Sequence, residues 1–115
     1  MESSILKTIR VENNVDKDCD TFDDQLIPLI NEAFSTLWQV GVGPKNGFAI
    51  SGVQEVWDDY TRDIIQIGWI KTYIGASVRL GFDPPASSIV KDAQEKKMQE
   101  SLWRLNVYVD PPEEV

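Results

Sequence analysis

A chain of 115 residues that is 42% hydrophobic and carries four tryptophans has enough apolar surface to bury one core, and reads as a single domain over residues 1–115. Nineteen acidic against eleven basic residues leave a net charge of -8, which disfavours gripping nucleic acid but suits lining a passage that DNA slides through. With no histidine, and with Cys19 as sole cysteine, the chain builds no His/Cys zinc site, Ser-His-Asp triad, Cys-His dyad or internal disulfide from its own residues.

The opening Met1-Glu2-Ser3-Ser4 has neither a basic region nor an apolar run, so no signal peptide is expected. Residues 3–12 read as a short helix capped by Ser3 or Ser4, with Ile5, Leu6, Ile9 and Val11 on a buried stripe. A carboxylate-rich connector follows. Its Asp16, Asp18 and Asp20 imitate the start of a calcium loop, but Thr21 stands where glycine is needed and Ile27 where a bidentate Glu is needed. These acids are expected to serve the N-terminal dipole of the next helix.

That helix is predicted from about Phe22 to Val40, with Thr21 and Asp24 as a capping box and Leu26, Ile30, Ala33, Phe34, Leu37 and Trp38 in the core. Pro28 either falls near the first turn or kinks the helix. Gly41 ends it. The glycines Gly43, Gly47 and Gly52 do not form a phosphate loop, since no G-x-x-x-x-G-K-[ST] string is present. Phe48 is expected to pin an extended loop, and Val53–Tyr60 to form a short helix capped by Ser51 with Val56, Trp57 and Tyr60 inward. Asp58, Asp59 and Asp63 suggest paired carboxylates, but helix-start electrostatics account for them, with Arg62 at hand as a partner.

The stretch Ile64–Leu80 is apolar on nearly every face, so a central helix is expected there. Lys71 and Arg79 interrupt it, and it is too short to cross a membrane. Eight residues apart, those two cations share a face and are free to reach solvent, pair with acids or face a common channel. Gly68, Gly75, Ala76 and Ser77 predict close backbone packing, and Trp69 and Tyr73 are core or interface aromatics. Phe82-Asp83-Pro84-Pro85 breaks the helix, because consecutive prolines lack amide donors and restrict their predecessors. A one-sided helix capped by Ser87 or Ser88 then buries Val90, Ala93, Met98 or the stem of Lys97, Leu102 and Leu105. Asn106–Asp110 alternates like a strand before Pro111-Pro112, so residues 106–115 read as a free tail or as an arm that docks on another subunit. The expected fold class is all-α: a small bundle of four to five helices with a long helical hairpin and an extended C-terminal arm.

Several strings occur in an order that resembles a known family. They are Asn31-Glu32-Ala33-Phe34, Val40-Gly41-Val42-Gly43-Pro44, Trp57-Asp58-Asp59-Tyr60, Lys71-Thr72-Tyr73-Ile74, Phe82-Asp83-Pro84-Pro85-Ala86-Ser87-Ser88 and Trp103-Arg104-Leu105-Asn106. Together they resemble the head–tail connector, or head completion (adaptor), proteins of long-tailed bacteriophages and prophages. The resemblance implies a non-enzymatic virion protein that forms a ring of around twelve copies under the portal after DNA packaging. It implies as partners the chain itself, the portal protein and a stopper or tail-side protein, with DNA passing through the channel, no cofactor, no metal and no membrane. The implied location is the phage neck, with the host cytoplasm before assembly. Carried onto this chain, it places Trp103, Arg104, Asn106, Val107, Tyr108 and Val109 at the portal contact. It places Trp69, Tyr73, Arg79, Phe82, Pro84 and Pro85 between subunits. The competing readings are a small acidic regulatory module that binds a host or DNA-binding protein, and an enzyme using Asp58, Asp59 and Asp63 with a divalent metal.

Overall fold

The computed structural model describes residues 4–109 and contains α1 (Ile5–Glu12), α2 (Asp23–Gln39), α3 (Trp57–Tyr60), α4 (Ile64–Phe82) and α5 (Ser88–Val109). The fold is all-α, as expected; an isolated bridge between Ser4 and Val56 is the extended pairing among the described residues.

Helix α1 starts where Ser4 accepts a hydrogen bond from the Lys7 amide, and it buries Ile5, Leu6 and Ile9 completely. Val11 does not join that stripe; it is 58% exposed, and Arg10 is buried instead. The Arg10 guanidinium donates to both Asp23 carboxylate oxygens, at 3.0 and 2.6 Å, and to the Lys17 carbonyl at 2.6 Å. This fork ties α1 to the first turn of α2 and holds the guanidinium still more firmly protonated, chiefly through the Asp23 hydrogen bond.

Asp23 is thereby the first residue of α2, and the capping box expected at Thr21 and Asp24 is not formed: Phe22 occupies the N-cap without a side-chain bond. Pro28 lies inside the helix, where it removes the amide that would pair with the Asp24 carbonyl. At the far end Val42 donates to Leu37 at 2.9 Å and Gly41 to Trp38 at 3.0 Å, a Schellman closure that needs the positive φ of Gly41, 88°. Trp38 is half-exposed and donates its indole N–H to the Lys45 carbonyl, so it covers the loop and is not a core residue.

Between α2 and α4 the backbone is largely irregular. Asn31 fixes it by accepting from the Ile50 amide and donating to the Ile50 carbonyl, at 2.8 and 3.0 Å. Phe48 packs edge-on against Phe34 and Tyr60, which is the pinning expected of it. The predicted helix from Val53 is cut to the single turn Trp57–Tyr60. The Glu55 carboxylate accepts from the Ser51 amide and hydroxyl and from the Gly52 amide, and so holds the preceding residues in a turn.

Asp63 caps α4 by accepting from the Ile65 and Gln66 amides. The helix is central: it packs on α1, α2 and α5, and Ile70, Tyr73, Ile74, Ala76 and Val78 are buried. Its first turn is not, since Ile64 is 87% exposed. The glycines do not produce close backbone packing either. Gly68 faces open space, while Gly75 and Gly81 face the side chains of Glu12 and Leu29.

Ser87 caps α5 with its carbonyl on the Lys91 amide. Its C-terminal half packs through Ser101 and Leu105, with Met98 and Leu102 half-buried. In the N-terminal half Ile89, Val90 and Ala93 are exposed, contrary to the burial expected of Val90 and Ala93. The strand-like reading of Asn106–Val109 is also overturned, because α5 continues through them. In a helix Tyr108 lies one turn beyond Leu105, so its ring meets Trp69 while Leu105 stays in the core. The remainder of the expected arm, 110–115, lies outside the described residues.

Candidate functional site

The open end of the hairpin, where α4 begins and α5 ends, gathers Trp69, Trp103, Arg104, Val107 and Tyr108 around a cleft of about 220 Å³. Trp103 is 62% exposed, whereas Trp69 and Val107 are half-buried. The Tyr108 ring stands edge-on to Trp69, with centroids 5.9 Å apart, and its hydroxyl donates to the Asp63 carboxylate at 2.9 Å. Asp63 thus ties together the N-terminus of α4 and the last turn of α5. That hydroxyl holds the Asp63 carboxyl below its ordinary range, and the carboxylate in turn holds the Tyr108 phenol above its own. Arg104 donates twice to Glu100, one turn back, which orients its guanidinium along the helix. Asn106 is exposed, and Val109 ends the helix.

Four residues of the expected portal set, Trp103, Arg104, Val107 and Tyr108, therefore share one cleft, and they share it with Trp69 from the expected subunit set. The rest of that second set does not form one surface. Tyr73 is 4% exposed and belongs to the core of a single chain. Phe82 is half-buried against the edge of Phe22, at 5.5 Å, beside the exposed Pro84 and half-buried Pro85 of the hinge. Arg79 faces elsewhere.

Arg79 lines a second, polar cleft of about 300 Å³ between α1, α4 and α5, together with Lys71, Glu12, Gln94 and Lys97. The shared face of Lys71 and Arg79 was legible from their spacing; Glu12 and Lys97 come from distant elements and were not. The Lys71 ammonium also lies 5.3 Å from the centre of the Trp57 ring. Lys71, Arg79 and Lys97 are absent from the three ion pairs formed among the described residues. Partial desolvation in this cleft pushes the Glu12 carboxyl up, against the opposing pull of Lys71 and Lys97.

Three of the acids singled out in the sequence serve local structure. Asp16 accepts from the Asp18 amide, Asp59 from the Val56 amide, and Asp63 caps α4. No group of three or more His, Cys, Asp or Glu side chains among the described residues is placed to hold a metal ion, and no helix there is long and apolar enough to cross a membrane. No curated protein and no solved structure matches the chain. A family model does, over residues 5–112, nearly the whole length. Its description is phage connector protein, in agreement with the motif string and the all-α hairpin, and the chain belongs to that family.

Proposed function

We propose that this connector protein is a virion ring subunit that docks under the portal after DNA packaging and links the head to stopper or tail-side proteins. It is a binding protein, not a catalyst, and it acts in the phage neck after assembly from the host cytoplasm. The observation that carries this reading is the aromatic cleft at the open end of the hairpin, with Trp103 62% exposed beside Trp69, Tyr108 and Arg104. Tryptophan, tyrosine and arginine dominate the energetics of protein interfaces, because each pairs a large apolar body with a polar handle. An exposed tryptophan beside two further aromatics is an anchor awaiting a pocket. The acid excess, -8, supports a channel that lets DNA pass without holding it.

The test is native mass measurement and cryo-electron microscopy of the full chain mixed with the portal of the phage that encodes it. A ring of around twelve copies on the portal is expected, and Trp103→Ala is expected to weaken docking by about 30-fold or more while leaving helix content intact. Absence of any complex, or full docking by Trp103→Ala, would overturn the reading.

A further inference from the structure

We infer that the polar cleft between α1, α4 and α5 is a socket for carboxylates, filled by the acidic segment 16–24 of a second copy of this chain. The inference rests on the ring reading and names the contact that joins neighbours. Lys71, Arg79 and Lys97 converge on the cleft with Glu12 as the single acid among its lining residues. Three cations against one acid leave the cleft net positive, and none of the three forms a contact ion pair within the described residues, so an entering carboxylate is stabilised there. Gly75 forms part of the floor: a Cβ there would collide with the Glu12 carboxylate. Glycine within a helix costs about 1 kcal/mol relative to alanine, and here it makes room for the Glu12 carboxylate itself, which leaves three cations to one resident acid in the cleft.

The occupant follows from charge and from position around α1. Lys7 pairs with Asp18 and Arg10 with Asp23, so the acidic segment lies along the Lys7–Arg10 side of that helix. Glu12 is two residues beyond Arg10 and five beyond Lys7, or about 200° and about 140° further round. The acidic segment and the cleft consequently face opposite sides of α1, and a chain does not fill its own socket. A neighbour placed alongside brings Asp16, Asp20 and Asp24, all exposed, against the three cations. Opposite charges on opposite sides of one subunit make a head-to-tail contact, the kind that closes into a ring.

Cys19, the sole cysteine, sits half-exposed within the acidic segment and supplies a probe. In the full chain, Gln94→Cys places a second thiol on the cleft. Mild oxidation is expected to give covalent trimers and longer ladders, because Cys19 of each copy meets position 94 of the next; wild type can give nothing beyond dimers. Arg79→Glu with Lys97→Glu, and separately Asp20→Lys with Asp24→Lys, are each expected to weaken self-association, alone or on the portal, by about tenfold or more at low salt. All four changes in one chain are expected to restore it. Rings that form with the reversed cleft and show no ladder would overturn the socket while leaving the ring reading intact. No oligomer under any condition, with or without portal, would instead overturn the ring reading beneath it. Duplex DNA retained by wild type and lost by the reversed cleft would assign the cations to phosphate and overturn the carboxylate socket.

Discussion

Helices α2 and α5 are similar in length and both carry apolar residues, yet they are used in opposite ways. Along α2 the stripe Leu26, Ile30, Ala33, Phe34 and Leu37 is buried almost completely, so the helix is satisfied within one chain. Along α5 only the segment around Ser101 and Leu105 is closed in, while Ile89, Val90 and Trp103 stay in solvent. A helix of 22 residues is about 33 Å long, and only part of one face of it is closed in against α4. The difference separates hydrophobicity that folds the chain from hydrophobicity left in solvent.

The largest effect expected is at the clamp that seats α2. Arg10→Ala leaves the Asp23 carboxylate without its forked partner and should cost about 3–5 kcal/mol, read as a drop in the urea midpoint. A loss under about 1 kcal/mol would mean that α2 seats itself through its stripe alone. Next, paired truncations test the comparison directly. Ile30→Ala is expected to cost about 2–5 kcal/mol, whereas Ile89→Ala should stay within about 0.5 kcal/mol in the free chain. Equal losses would show that the two helices are not used differently.

A smaller effect is expected at Tyr60, whose hydroxyl is buried without a hydrogen-bond partner and whose ring lies where a Cβ on Gly43 would fall. Tyr60→Phe should therefore be neutral or stabilising by about 1 kcal/mol. Burial raises the phenols of Tyr60 and Tyr73 in the folded chain. Stability from keeping them neutral is fully present below the ordinary tyrosine value of about 10 and is lost as pH rises above it. Tyr60→Phe should blunt that alkaline loss in chemical melts at increasing pH; an unchanged alkaline limb would contradict the assignment.

The smallest effect concerns the last turn of α5. Tyr108→Phe removes the bond to Asp63, so amide exchange at residues 106–109 should quicken while the global melting point is unchanged. Because the Asp63 carboxyl is held low when folded, the tie is present above the ordinary aspartate value of about 3.9 and is lost as pH falls through the lower folded value. Exchange in the last turn that is the same in both proteins would show that Trp69 alone holds it.

Much of this was legible in the sequence because local chemistry decides it. The Ser4 and Ser87 caps, the Gly41 closure, the stripe of α2 and the break at Pro84-Pro85 all depend on residues within a few positions of one another. The family was legible in the same way, since its motifs are short strings in a fixed order. Of the candidate surface, the shared face of Lys71 and Arg79 could be read from spacing, and Trp103 was singled out through the resemblance. What the tertiary structure decided involves partners far apart in the chain. Arg10 is buried because Asp23 arrives from 13 residues away. Asn106–Val109 is helical because Asp63, 45 residues from Tyr108, and Trp69 hold its last turn, overriding an alternating pattern that favours extended chain. Glu12 and Lys97 join Lys71 and Arg79 only when α1 and α5 close on α4. Periodicity specifies which face of a helix is apolar; whether that face meets the core or solvent depends on how far the neighbouring helices extend beside it.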